Sequence, residues 1–492
     1  MAIQFNELLR DNIIGRDSEK NDRFGEALAV GDFDDDGKDD LAVGVTGEAF
    51  DGFFSDGFDK GAVQVLYGDS LGFRDGSQEI TQNNLASGNS EDGDQFGKAL
   101  AVGDINGDEI DDLVVGIPFE DGPFGNSGAI QVVFGKKDQG LDRDNTQIVN
   151  QDTPGISSQA SVSEEFGRSL AVADFNKDGF DDVVIGVPGN RDFTNVRAGG
   201  VNIIYGSSTG LNESRRGDQF INRNTPGILG VDREGDRFGE ALTVGDFDND
   251  THLDLAIGAP GANNGSTNNT GTVTILYGSS NGSGLTSRNQ QLGQGDSDFP
   301  APDLTEANDE FGKALAAGDF NKDGLTDLAI GVPGEDGGSG AVQIYYGRED
   351  NNLPIGEQDG DVELIKANTQ FADFGGRFGS ALAAEDVDRD GFTDLVVGAP
   401  NMGSANTGKV HILYGSTNGF LDSNNQVIEA KPFIQSPAVG LPDSPEAGDF
   451  FGKSLAIGNF RGSVPDIAVG SLDNIRDATN AGGVTMIPSS LT

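Results

Sequence analysis

The residues of this 492-residue chain best suited to chemistry are acidic, and they recur at a fixed spacing. The segment DFDDDGKDD puts Asp32, Asp34, Asp36 and Asp40 at positions 1, 3, 5 and 9 of a short loop. Odd spacing in a tight loop turns successive carboxylates toward one point. A hard cation such as Ca²⁺ takes roughly six to eight oxygens from carboxylates, carbonyls and water. Gly37 at position 6 allows a sharp turn, and the carbonyl of Lys38 at position 7 offers a further oxygen. Without a cation, four carboxylates this close repel one another.

Five more loops keep the pattern. Their candidate ligands are Asp104, Asn106, Asp108, Ile110 and Asp112; Asp174, Asn176, Asp178, Phe180 and Asp182; Asp246, Asp248, Asp250, His252 and Asp254; Asp319, Asn321, Asp323, Leu325 and Asp327; and Asp386, Asp388, Asp390, Phe392 and Asp394. The position 7 residue serves in each through its backbone carbonyl. Asn at position 3 is a neutral donor, which is expected to weaken the second, third and fifth loops. Loops two and four carry Glu109 and Thr251 where the others have Gly. A seventh loop, NFRGSVPD, has Asn459, Arg461 and Ser463 and is one residue short. Arg461 opposes a cation, so no metal is expected there. An EF-hand begins similarly but needs a Glu at position 12 and flanking helices. Position 12 here is Val43, Val115, Ile185, Ile257, Ile330 or Val397, and the flanks read as strands. Asp and Gly also populate ordinary turns, but six loops in register point to about six Ca²⁺ sites, one per loop. Mg²⁺ fits less well because it demands stricter geometry.

Composition narrows the alternatives. With 32 Lys+Arg against 81 Asp+Glu the net charge is −49, which excludes a nucleic-acid binder. Absence of Cys excludes disulfides, thiolate metal sites and a Cys nucleophile. Two histidines, His252 and His411, cannot build a His-rich metal site, and neither reads as catalytic. Six Ca²⁺ would bring the charge only to about −37, so the remaining acidity reads as a solvated surface. The first residues, MAIQFNELLRDNIIGRDSEK, show no signal peptide, and no apolar run is long enough to span a membrane.

The elements that position the loops repeat with them. Phe-Gly opens a block at Phe24, Phe96, Phe166, Phe238, Phe311, Phe378 and Phe451, at intervals of 72, 70, 72, 73, 67 and 73 residues. Each block holds short runs rich in Val, Ile and Leu, too short for helices. Strand A is the Ala27–Asp32 run and strand B the Leu41–Gly44 run, both reading as buried on two faces. Strand C is the Val63–Gly68 run, and strand D a weaker Gln78–Thr81 run with a poor counterpart near Gln290–Leu292 and one at Gln426–Glu429. Four antiparallel strands repeated seven times predict an all-β, seven-bladed β-propeller, one domain over residues 1–492. The seventh block has no room for strand D. Ala2–Asn6 is expected to complete that blade and close the ring.

These blocks resemble FG-GAP repeats, the units of the integrin α-subunit propeller. "FG" is Phe24-Gly25 and its six counterparts; "GAP" stands at 258–260 and 398–400. It is relaxed to Gly-Ile-Pro at 116–118 and Gly-Val-Pro at 186–188 and 331–333. The resemblance implies calcium in the A–B hairpins and a role in adhesion or recognition. No inserted domain, leg domain or Arg-Gly-Asp is visible, so integrin partners do not transfer.

The expected function is therefore a calcium-binding module, extracellular or at the cell surface, monomeric, and not an enzyme. It would bind a protein or glycan on the face opposite the calcium loops. The alternatives are a calcium-dependent enzyme acting on polysaccharide or phosphoester, and a structural matrix component. Phe50, Phe53, Phe54, Phe58, Phe119, Phe124 and Phe193 lie in the B–C loops of that face; they read as plugging the central channel or as exposed ligand contacts. The motif phenylalanines and Tyr67, Tyr205, Tyr277, Tyr346 and Tyr414 read as packing.

Overall fold

A computed structural model describes residues 7–8, 21–48, 59–86, 89–122, 125–156, 161–191, 195–211, 218–265, 267–279, 284–294, 305–348, 362–367, 376–403, 405–422, 424, 426–428, 430–434, 446–462, 464–472 and 481–488. Short β-branched runs punctuated by Gly and Asp fold into seven four-stranded antiparallel sheets. In the first blade strands A to D are Phe24–Gly31, Asp40–Val45, Ala62–Leu66 and Gln78–Ile80. Gly31 pairs with Asp40, Leu41 with Leu66 and Val63 with Ile80. The same order recurs in the next five blades. The chain is a seven-bladed β-propeller with almost no helix; Glu335–Gly338 and Gln82–Asn84 are single turns.

Every strand B is buried along its whole length. Strand A is only half-buried, contrary to the expectation for both: Leu100–Gly103 is intermediate at each residue. The reason is position. Strands A of successive blades pack against one another all the way round, seventh to first included, so they are the innermost strands. Strand D of the sixth blade is Ala430–Phe433, not Gln426–Glu429. In the fourth blade Asn289–Leu292 does form strand D. The two-residue strand Glu7–Leu8 pairs with Gly483–Ile487 of the seventh blade. Ala2–Asn6 lies outside the described residues.

Each seam between blades has its own apolar core, and each core contains one motif Phe, fully buried. At the seam of blades one and two, Val63 and Val65 meet Phe96, Leu113 and Val115. A parallel bridge ties Gly61 to Phe96 there. Equivalent bridges occur at all seven seams, the last joining Gly482 to Phe24. No helix among the described residues is long and apolar enough to cross a membrane.

Near the axis, buried Glu26 receives Lys98 and Lys453, each at 2.5 Å. Burial raises its pKa, but the two ammonium groups outweigh that and hold it down at about 2. A depressed carboxylate contributes stability that is present above its unfolded pKa, near 4.5, and is lost as pH falls toward 2. Glu26→Gln should therefore cost about 3 kcal/mol at pH 7, since it leaves two lysines facing each other. It should also flatten the acid limb. Urea midpoints from pH 7 to pH 2 test this; parallel curves for both proteins would refute it.

Candidate metal centres

The A–B hairpin carries the acidic loop, and its geometry follows from the sequence position by position. The position 1 carboxylate folds back on the loop: Asp32 accepts from the N–H groups of Asp36 and Gly37 at 3.0 and 2.8 Å. Asp104, Asp174, Asp246, Asp319 and Asp386 do the same. The position 5 carboxylates, from Asp36 to Asp390, accept the N–H of the position 7 residues Lys38, Ile110, Phe180, His252, Leu325 and Phe392. Position 6 is left-handed whether Gly or not: φ is 80° at Gly37, 67° at Glu109 and 72° at Thr251. Loops two and four thus keep the turn without glycine.

Position 9 is the anchor. Asp40, Asp112, Asp182, Asp254, Asp327 and Asp394 are all buried. Each accepts one amide from position 2 and one from the glycine beyond strand C; for Asp40 these are Phe33 at 3.0 Å and Gly68 at 2.8 Å. Burial pushes Asp40, Asp112, Asp182 and Asp254 up to about 8, and Asp327 and Asp394 up to about 7, despite those hydrogen bonds. Neighbouring loop carboxylates raise them further. Such groups require either a proton or a nearby positive charge.

Three carboxylates converge within 4.8 Å in the first, fourth and sixth loops: Asp32, Asp34 and Asp36; Asp246, Asp248 and Asp250; Asp386, Asp388 and Asp394. Among the described residues no such trio forms in the second, third and fifth loops, where Asn106, Asn176 and Asn321 stand at position 3. Two position 3 oxygens are placed to serve a cation. Asp34 Oδ1 and Asn176 Oδ1 are buried without a hydrogen-bond partner. This all-oxygen donor set suits a hard cation. His252 is more than a carbonyl donor, since its Nδ1 lies 3.1 Å from Asp250 Oδ1.

Several contacts were not foreseen. Arg74 pairs with Asp34, and Arg288 with Asp248. Both guanidinium groups also lie over a tyrosine ring, Tyr67 at 4.6 Å and Tyr277 at 4.1 Å. Position 8 links blades: Asp111 accepts the N–H of Asp32 at 2.8 Å, Asp181 that of Asp104 at 3.0 Å, and Asp39 that of Asn459 at 2.7 Å. The doubled Asp at positions 8 and 9 of those loops was the available signal. In the seventh loop Arg461 grips Asp466, the counterpart of the position 9 anchors, through Nε at 2.9 Å and a second guanidinium nitrogen. Ser463 lies outside the described residues. So do Phe50, Phe53, Phe54, Phe58, Phe124 and Phe193; Phe119 is half-buried. His411 is buried with its ring edge-on to Phe378.

Seven antiparallel blades, each with its motif Phe in a seam and an acid-bearing A–B hairpin in six, define a propeller of the integrin α type. The FG-GAP repeat profile matches residues 24–66, 96–133, 166–203, 238–276, 311–345 and 378–413, so the chain carries six FG-GAP repeats. It is 34% identical over 211 residues to phosphatidylinositol-glycan-specific phospholipase D of Rattus norvegicus, covering 42% of this chain and 24% of that protein. It is 32% identical over 245 residues to integrin alpha-5 of Xenopus laevis, covering 48% and 20%. To integrin alpha pat-2 of Caenorhabditis briggsae it is 29% identical over 293 residues, covering 55% and 21%. The chain thus matches only about a fifth to a quarter of each relative's length. The expectation that it is not an enzyme is overturned by these relatives, several of which carry the name of a phospholipase.

Proposed function

We propose that residues 1–492 form one calcium-loaded propeller domain that works at the cell surface or outside the cell. It would bind a protein or glycan through the face opposite the acidic hairpins. The observation that carries the calcium reading is the convergence of three carboxylates in the first, fourth and sixth loops, beside the buried, unpartnered oxygens of Asp34 and Asn176. Asp at positions 1, 5 and 9, Asp or Asn at position 3, and the position 7 carbonyl would hold one Ca²⁺ in each of six loops. Bound calcium would supply the positive charge the buried anchors lack and fix each hairpin. In the seventh repeat, Arg461 takes that part. The extracellular assignment rests on the likeness to integrins.

Arg74 and Arg288 bear on affinity. They neutralise the extra carboxylate of loops one and four, so those loops should not outbind the Asn-bearing loops by charge alone. The double variant Arg74→Ala/Arg288→Ala should tighten two sites about tenfold, since each loses a cation a few ångströms from its ligands. Competition titration with a chromophoric chelator reads this. Unchanged affinities would show that the arginines leave the ligands when calcium binds.

The function itself is tested by glycan-array and pull-down binding, in calcium and in chelator. A ligand captured only in calcium supports the reading, and blank results in both media count against it. A second reading, catalysis on a phosphoester, is favoured by the phospholipase relatives. Incubating the purified chain with a glycosylphosphatidylinositol-anchored protein and following release of the anchor tests that directly; no release would remove it.

A further inference from the structure

The hairpins do not use all the buried acids. At the other end of the blades, the residue two before the motif Phe is a buried acid in six repeats: Asp22, Asp94, Glu164, Asp236, Asp309 and Asp449. In four of them, Asp94, Asp236, Asp309 and Asp449, the carboxylate accepts a backbone N–H from three residues earlier, as with Glu91 to Asp94 at 2.6 Å and Arg233 to Asp236 at 3.0 Å. The residue two beyond the inner end of strand D reaches into the same seam. Strand register makes Gln82, Arg223 and Gln294 equivalent, because Ile80, Ile221 and Leu292 all pair with the second residue of strand C.

The seams differ in how they supply positive charge. Between the third and fourth blades, Arg223 puts its guanidinium 2.7 Å from Asp236. In the fifth blade, Glu335 takes Gln294 Nε2 at 2.8 Å and Lys366 Nζ at 3.0 Å. Between the first and second blades, the place of Arg223 is taken by neutral Gln82. Gln82 opens a single 3₁₀ turn and donates Nε2 to Glu120 Oε2 at 2.6 Å. That bond fixes the amide so that Oε1 is its free acceptor, and Oε1 is buried with no partner. Asp94 is buried within electrostatic reach of Glu120. Among the described residues no Lys or Arg pairs with either acid.

We propose that the seam between the first and second blades holds a hard divalent cation, bound by the carboxylates of Asp94 and Glu120 and by Gln82 Oε1. Buried Asp94 beside half-buried Glu120 calls for a counter-charge, and an all-oxygen donor set selects a cation such as Ca²⁺. The guanidinium of Arg223 marks where that charge sits in the sister seam. None of these residues belongs to a hairpin, so this site stands apart from the six loops.

The test is calorimetric titration of chelator-stripped protein with Ca²⁺, comparing wild type, Glu120→Gln, Gln82→Arg and Asp36→Ala. Glu120→Gln and Gln82→Arg should each bind one equivalent fewer than wild type. Gln82→Arg should also melt higher than wild type in chelator, because its guanidinium replaces the cation as Arg223 does; it decides the matter if Glu120→Gln fails to fold. Equal stoichiometry in wild type and both seam variants would overturn the proposal, leaving a shared proton between the two acids. Asp36→Ala reports the first hairpin alone. A loss confined to it would uphold the loops and sink the seam site, and the reverse pattern would do the opposite.

Discussion

Stripping the protein with a chelator should lower its melting temperature by about 15 °C relative to about 1 mM Ca²⁺. With a dissociation constant on the order of 10 µM, each filled site adds about 2.7 kcal/mol by mass action. Six such sites add about 16 kcal/mol. Unfolding a chain of this length releases about 1 kcal/mol per kelvin of entropy, which sets the scale of the shift. The effect is large because the buried position 9 carboxylates, raised by burial to about 7 or 8, have no cationic partner among the described residues in six of the seven loops. Asp466, gripped by Arg461, has one, so Asp466→Asn should cost the same stability with and without calcium. Differential scanning calorimetry at stepped calcium measures the shift. A melt indifferent to calcium, with no heat of binding, would mean the loops are only solvated turns.

Gly258→Ala should be among the most damaging single substitutions, costing about 4 kcal/mol or more. An added Cβ would lie 2.1 Å from the carbonyl oxygen of Gly312, the glycine of the next blade's Phe-Gly pair. Backbone cannot rotate aside, so the whole blade would have to move. The same pairing occurs at every seam: Gly44 with Gly97, Gly116 with Gly167, Gly186 with Gly239, Gly331 with Gly379, Gly398 with Gly452, and Gly470 with Gly25. The two halves of the family motif are therefore the two sides of one contact between blades. Gly76→Ala is the control. It is left-handed at φ 113° with open space around it, and should cost only about 1–2 kcal/mol. Similar urea midpoints for the two variants would show that the seam can open to admit a methyl group.

The architecture was legible because it is written seven times. A single Phe or a single Asp-rich turn carries little information, whereas seven copies in register define the blade, its core residue and its hairpin. What was not legible depends on residues distant in sequence. Arg74 reaches Asp34 from the C–D connection, and Asp111 binds the amide of Asp32 from the next blade. Neither has a local pattern. Strand D of the sixth blade was misplaced because Gln-Val-Ile looks more strand-like than Ala-Lys-Pro-Phe. Pro432 is tolerated there because strand D is an edge. The half-burial of strand A also escaped the sequence, since the innermost place in the ring leaves no mark on an apolar run. Function was least legible of all, because the same chain matches part of an integrin and part of a phospholipase alike.

The likeness of the seven seams has a consequence for damage. The contact from the seventh blade back to the first repeats the bridge, the glycine pair and the apolar core of the other six. A protease that cuts one surface connection between blades divides the chain into two pieces, but each remains held by two seams rather than one. Release of a fragment requires both to part together. A nicked molecule should therefore travel as an intact particle and fall into two bands only when denatured. An open stack of the same blades would shed its end at the first cut.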